Sequence, residues 1–120
     1  MAEATETTEL APERAAELTR QGAPLIDVRS PHEHEAAHIG GDRLIPFDQL
    51  KDEAGSLPTD TPVVVYCRSG DRSGAAVQAL RASGYDAYSI EGGILEWTEK
   101  GLPIEPADGQ IVDRSVLPPE

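Results

Sequence analysis

The sequence predicts an α/β domain with a parallel sheet flanked by helices on both faces. Three observations carry that expectation. Short apolar strands alternate with helical stretches, prolines and glycines bracket the helices, and Val63-Val64-Val65-Tyr66 is an unbroken run of the kind buried on both sides. Helices between strands supply the crossovers that parallel strands require, with right-handed connections expected. Pattern alone leaves the strand order open.

Each element follows in turn. Pro12 in a first turn and Gly22 past the end bracket a helix from Glu13 to Gln21. Leu25-Ile26-Asp27-Val28 reads as a short strand. Ser30-Pro31 has the form of an N-cap followed by proline at the first helical position, so a short helix starts there and stops before Gly40-Gly41. Leu44-Ile45 is a brief strand and Asp48 to Glu53 another short helix. Pro62 opens the strand Val63–Tyr66. Ser73 to Ser83 carries Ala76, Val77 and Leu80 at helical spacing, and Gly84 ends it. Ala87-Tyr88-Ser89-Ile90 is the next strand, and Ile94 to Glu99 a last helix holding Trp97 and closed by Gly101. From Pro106 the chain is rich in Pro, Asp and Gly and is expected to be irregular, with Ile111, Val112, Val116 and Leu117 available for docking.

A length of 120 residues suits one domain that buries a core without disulfide staples. The single cysteine rules out an intramolecular disulfide and is either a small buried residue or a reactive thiol. No apolar run nears the ~18 residues of a membrane span. The acidic start, Met1-Ala2-Glu3-Ala4-Thr5-Glu6, lacks the apolar stretch of a secretory signal, so a cytoplasmic protein is expected. A net charge of -12 argues against nucleic-acid partners, whose phosphates such a surface repels. Lys51 and Lys100 are the only lysines against 22 acidic residues. That balance fits both an ordinary acidic protein and one adapted to high salt.

The chemistry concentrates in Cys67-Arg68-Ser69-Gly70-Asp71-Arg72-Ser73, which leaves the buried strand and runs into a helix. Ligands of open parallel sheets bind beyond the carboxyl ends of the strands, and Cys67 sits there. Gly70 allows backbone angles that turn successive amides inward as an anion-binding nest, and the helix adds its positive end. Arg68 and Arg72 add formal charge. Together these favour a nucleophilic thiolate at Cys67. The competing structural reading is an inert cysteine at a strand end beside two solvated arginines; glycine, two arginines and the strand-loop-helix setting weigh against it.

The loop resembles the active-site loop of rhodaneses, which commonly reads Cys-Arg-x-Gly-x-Arg-Ser. Further matches fall in order: Ile26-Asp27-Val28-Arg29, Glu33, His38-Ile39, Gly41, Gly92-Gly93 and Trp97. They span about Leu10 to Pro103, so residues 1–106 are taken as the rhodanese-like domain and 107–120 as a tail. The resemblance implies a sheet of about five parallel strands. It also implies sulfur transfer without a cofactor, from a small anionic donor such as thiosulfate to a thiol, protein or cyanide acceptor, through a Cys67 persulfide. Amides of Arg68, Ser69, Gly70, Asp71, Arg72 and Ser73 would form the cradle, with Arg68 and Arg72 binding the donor. Asp27 and Arg29 are expected to support the site from beneath, with Arg29 able to pair with Glu33. His34, Gly40, Asp42 and Asp71 depart from the family's usual residues. Asp71 brings a carboxylate to the cradle, and its side chain is expected to point outward at the helix start.

Two other activities deserve weighing. Cysteine phosphatases use the same physics but a longer run between Cys and Arg than the four residues here, Arg68 to Asp71. A module that carries or senses persulfide without turning over small donors would need the same Cys67. Finally, His34-Glu35-Ala36-Ala37-His38 fits the His-Glu-x-x-His pattern of zinc proteases. The short helix between Pro31 and Gly40-Gly41, the lack of a downstream third histidine and the family match for His38 speak against a metal, and none is expected.

Overall fold

The central run Val63–Tyr66 organises the architecture of this computed structural model, which describes residues 7–113. Five strands, β1 (Glu9–Leu10), β2 (Leu25–Asp27), β3 (Arg43–Leu44), β4 (Val63–Tyr66) and β5 (Ala87–Ile90), form one sheet in the order β1-β5-β4-β2-β3. All its pairings are parallel, with Asp27 opposite Tyr66 and Val65 opposite Ser89. The helices are α1 (Pro12–Arg20), α2 (Pro31–Ala36), α3 (Leu50–Glu53), α4 (Asp71–Ala82) and α5 (Gly93–Glu99).

The alternation of side chains along β4 divides the core in two. Val63, Val65 and Cys67 join Ile26, Val28, Ala76, Val77 and Leu80 in the cluster beneath α3 and α4. Val64 and Tyr66 face the other way, packing with Leu25, Ile90, Ala15, Ala16, Ile94 and Trp97 beneath α1 and α5. Both faces of the strand are therefore covered, which accounts for its lack of polar alternation. Cys67 continues this alternation, so its side chain leaves the strand on the α4 side.

Several boundaries differ from the sequence reading. β1 was not expected; two residues carry too little pattern, and the strand exists because β5 supplies an edge, with Ser89 N–H donating to Thr8 O at 2.8 Å and Glu91 N–H to Leu10 O at 2.8 Å. β3 lies one residue earlier than read, yet Ile45 N–H still reaches Asp27 O at 2.9 Å. The helix read over Asp48 to Glu53 is split, with 3₁₀ turns at Phe47–Gln49 and Ala54–Ser56 around α3. α4 starts at Asp71 rather than Ser73 because Gly70, at φ 115°, lets the chain turn directly into it. Ser30 caps α2 as expected, in a reciprocal capping box with Glu33.

From Pro106 to Asp113 the chain forms neither helix nor strand. Ile111 packs against the core beneath α1 and α5, whereas Val116 and Leu117 lie outside the described residues. Among the described residues no helix is long and apolar enough to cross a membrane.

Tyr66, fully buried, ties the connection after α2 to the sheet. Its hydroxyl accepts from Ile39 N–H at 3.0 Å and donates to Asp42 Oδ2 at 2.6 Å. Burial, with the Asp27 and Asp42 carboxylates nearby, pushes its ionisation far above the ordinary tyrosine range, so the proton stays available to Asp42. Tyr66→Phe would leave the Ile39 amide without this acceptor and the Asp42 carboxylate without this donor. The expected cost is about 1–3 kcal/mol in a denaturant titration, with far-ultraviolet circular dichroism unchanged.

Candidate active site

The end of β4, the first turn of α4 and the start of α5 converge on Cys67. Its sulfur accepts from Gly70 N–H at 3.0 Å and from Ser73 N–H at 3.4 Å, and lies 3.5 Å from Ser73 Oγ. α4 has no side-chain N-cap, and the sulfur occupies the acceptor position a cap would fill. Cys67 is only 1% exposed, but it forms part of an open pocket of about 160 Å³ lined also by Arg68, Ser69, Asp71, Arg72 and Asp113.

α5 determines which way the loop's dipoles face. Ile94 N–H donates to Cys67 O at 2.9 Å and Leu95 N–H to Arg68 O at 3.1 Å. Those carbonyls are held toward α5, leaving the sulfur side of the loop to amides. The approach is close enough that a Cβ on Gly93 would lie 2.3 Å from Arg68 O, and Gly93 also has φ 64°. Glycine is therefore required there on two counts.

Ser73 is buried, and its Oγ lies 2.7 Å from Ser89 Oγ on β5. Ser89 escaped the sequence reading, although a serine within an otherwise apolar strand is a signal of a buried polar contact. Arg68 borders the pocket with a buried Nε that has no hydrogen-bond partner among the described residues. Asp71 is exposed at the first position of α4.

Beside the loop lies the fully buried Glu33 carboxylate. It accepts from Arg72 Nη1 at 2.7 Å and Nη2 at 2.9 Å, from Ser30 N–H at 3.1 Å and from Ser30 Oγ at 3.1 Å. Burial pushes its pKa up, but Arg72 and Ser30 outweigh burial and hold it below the usual carboxylate range. The Glu33 hydrogen bonds raise the Arg72 pKa in turn. Arg72 therefore reaches the pocket with its charge already matched.

The expected pairing of Arg29 with Glu33 is not the one formed. Arg29 instead grips Asp27, with Nε to Oδ1 at 2.9 Å and Nη2 to Oδ2 at 2.9 Å, and donates to Ala37 O at 2.6 Å. The capping box turns Glu33 back toward Ser30 and the first turn of α4, while Asp27, two residues before Arg29, meets its planar fork. Burial opposes the Arg29 charge, but Asp27 more than compensates and its pKa is raised. Neither Asp27 nor Arg29 lines the Cys67 pocket, although Arg29 borders an adjacent cleft with Arg72 and Asp71.

The His-Glu-x-x-His stretch also folds into this support. His34 and His38 stack with centroids 3.9 Å apart, and one ligand-type atom from each lies within 4.8 Å of one from Asp42. These groups already have protein partners. His34 Nδ1 lies 2.9 Å from Asp27 Oδ2, His38 Nδ1 lies 2.9 Å from His34 O, and Asp42 accepts from Tyr66. Burial raises the Asp42 pKa despite the Tyr66 bond.

Residues 11–100 match the family described as the rhodanese-like domain. The uncharacterized protein YqhL of Bacillus subtilis is 47% identical over 79 residues, which are 65% of this chain and 63% of YqhL. The thiosulfate sulfurtransferase GlpE of Pseudomonas paraeruginosa is 34% identical over 100 residues, covering 82% of this chain and 87% of GlpE. The chain thus spans a little under two-thirds of YqhL. It spans 21% of the probable adenylyltransferase/sulfurtransferase MoeZ of Mycobacterium tuberculosis, at 40% identity over 82 residues, 66% of this chain. A rhodanese-related protein of Thermoplasma volcanium superposes with a TM-score of 0.74 at 31% identity, over 80% of this chain and 95% of that one.

The Glu33–Arg72 pair carries its own pH signature. A carboxylate whose folded pKa is depressed stabilises above its unfolded value, about 4.3, and that contribution is lost as pH falls through the folded value. Glu33→Gln is expected to cost about 3 kcal/mol at pH 7, because it leaves Arg72 largely buried without its counter-charge. The stability gap between wild type and variant should narrow steadily below about pH 4. Denaturant titrations from pH 7 to pH 3 measure it, and a gap independent of pH would overturn this assignment.

Proposed function

Because the chain belongs to the rhodanese-like domain family, we propose that it moves a sulfane sulfur from a donor such as thiosulfate to a thiol or cyanide acceptor through a persulfide on Cys67. The observation that carries this reading is the pair of amides, Gly70 N–H at 3.0 Å and Ser73 N–H at 3.4 Å, aimed at the Cys67 sulfur. An anionic sulfur accepts such hydrogen bonds more strongly than a neutral one.

In the first half-reaction the Cys67 thiolate attacks the sulfane sulfur of thiosulfate. A sulfur–sulfur bond forms to Cys67, the donor's own sulfur–sulfur bond breaks, and sulfite leaves with the electron pair. Cys67 then carries the outer sulfur as a persulfide anion. Amides between Arg68 and Ser73 hold that anion, in the manner of an oxyanion hole, without the reorganisation that water would require. Arg68 attracts the anionic donor, while Arg72, held by Glu33, fixes the start of α4. In the second half-reaction an acceptor thiolate attacks the outer sulfur, the bond to Cys67 breaks, and the Cys67 thiolate returns. With cyanide as acceptor the product is thiocyanate.

The chemistry needs neither an external redox agent nor a metal. His34, His38 and Asp42 serve instead to brace Asp27 and Tyr66 behind the loop.

Three experiments test this reading. Intact-mass analysis after incubation with thiosulfate, without reductant, should show a gain of one sulfur on wild type and none on Cys67→Ser. Cys67→Ala should remain folded and transfer no sulfur to cyanide; retained activity in that folded variant would overturn the reading. Sulfur gain without turnover to any acceptor would make the protein a carrier rather than an enzyme. Protein purified without an affinity tag should lack stoichiometric zinc, and chelator should leave the rate unchanged. Equimolar zinc released by His38→Ala would reassign the histidine cluster.

A further inference from the structure

One face of β5 departs from the apolar character of the core. Ala87 packs in the cluster beneath α4, and side-chain alternation puts Ser89 on that same face. Ser89 is 1% exposed, and Ser73 on α4 is fully buried. Their hydroxyl oxygens lie 2.7 Å apart, so one donates to the other. Ser73 Oγ also lies 3.4 Å from Gly70 O and 3.5 Å from the Cys67 sulfur.

Two buried hydroxyls carry two protons, and the direction of their contact decides where both go. If Ser73 donated to Ser89, the Ser89 proton would have no acceptor, because Ser89 Oγ has no other partner among the described residues. If Ser89 donates to Ser73, its own proton is placed and the Ser73 proton is released for a second acceptor. Gly70 O already accepts from Gly74 N–H at 2.9 Å. The Cys67 sulfur, once ionised, is the stronger acceptor because it carries charge. In the thiol form the S–H occupies the same gap and donates the other way, so the Ser73 hydroxyl turns toward the sulfur when Cys67 loses its proton.

We propose that Ser89 is a positioning residue for sulfur transfer: its hydroxyl donates to Ser73 Oγ and thereby commits the Ser73 hydroxyl proton to the Cys67 sulfur anion, beside the amides of Gly70 and Ser73. Its part in turnover rests on the sulfur-transfer reading above, whereas the hydroxyl chain rests on geometry alone. The step that gains is the second half-reaction. There the acceptor bonds to the outer sulfur, the bond to Cys67 breaks, and the electron pair returns to the Cys67 sulfur. A leaving thiolate that meets a placed donor departs faster.

Ser89→Ala, Ser73→Ala and the double variant test this chain of hydroxyls. The charged side chains lining the pocket are Arg68, Asp71, Arg72 and Asp113, with Glu33 of α2 paired to Arg72; β5 and α5 add none to that lining. All three variants retain these groups, so the changes report the hydroxyls. Alkylation of Cys67 by iodoacetamide gives a pH profile that needs no sulfur transfer. Its midpoint should rise by ~0.5–1 in Ser89→Ala. Discharge of preloaded persulfide to cyanide should slow roughly two- to three-fold. In the Ser73→Ala background, Ser89→Ala should change neither, because the group it acts through is gone. Denaturant titration adds a separate readout. Removing Ser73 alone strands the buried Ser89 hydroxyl, so the double variant should be at least as stable as Ser73→Ala. Lowered stability in Ser89→Ala, with midpoint and discharge unchanged, would make Ser89 a core residue only and overturn the proposal. Effects of equal size with and without Ser73 would overturn it as well. A raised midpoint in Ser89→Ala, with no sulfur gained by wild type from thiosulfate, overturns the sulfur-transfer reading and leaves the hydroxyl chain standing.

Discussion

The buried carboxylate of Glu33 is the constraint on which the site's geometry depends. A charge with no solvent exposure must be matched and hydrogen-bonded or it expels itself from the fold. Glu33 meets that demand by joining two pieces of chain: the start of its own helix α2, where Ser30 donates to it, and Arg72 in the first turn of α4. The same ion pair that satisfies the carboxylate therefore fixes where α4 begins. Since Gly70 and Ser73 belong to that beginning, the amides that meet the sulfur inherit their positions from it.

A second buried pair, Asp27 with Arg29, does comparable work one layer away. Arg29 reaches past Asp27 to the Ala37 carbonyl and lies over the Tyr66 ring at 5.4 Å. It thereby binds the end of β2, the end of α2 and the end of β4. The two arginines divide the labour by burial. Arg29 has no exposed surface and braces the scaffold, whereas Arg72, with 17% of its side chain exposed, joins scaffold to pocket. Asp42 works against this economy. Its burial raises its pKa, and the Tyr66 hydrogen bond and the nearby His34 only partly offset that effect.

What could be read from the sequence follows physical range. β4 and the loop after it were legible because an unbroken buried strand, a glycine turn and a helix start are local signals, each written within a few residues. The capping box at Ser30 and Glu33 was half legible: serine and proline marked the helix start, but not that Glu33 would spend its remaining capacity on Arg72, thirty-nine residues away. The Arg29 partner was misassigned for the same reason, since sequence nearness does not show which carboxylate faces the guanidinium. β1 and the α5 contacts on Cys67 O and Arg68 O are products of tertiary pairing. Asp113 carries no sequence signal at all, because an aspartate in a Pro- and Gly-rich stretch looks like any solvated turn.

The contact between α5 and the loop after β4 has a consequence for how the protein comes into being on the ribosome. β4 and Cys67 are synthesised well before Ile94 and Leu95, whose amides hold the Cys67 and Arg68 carbonyls. β1 is made first of all, yet it pairs only with β5, through Glu9 with Ser89 and Leu10 with Ile90. Long-range parallel pairings of this kind form late, because the chain's closure entropy must be overcome before they contribute. The nascent chain therefore exposes its single cysteine before that cysteine has a finished cradle. Completion of the loop around Cys67 is tied to emergence of α5, so an interrupted polypeptide carries the thiol without the contacts that hold its carbonyl and that of Arg68.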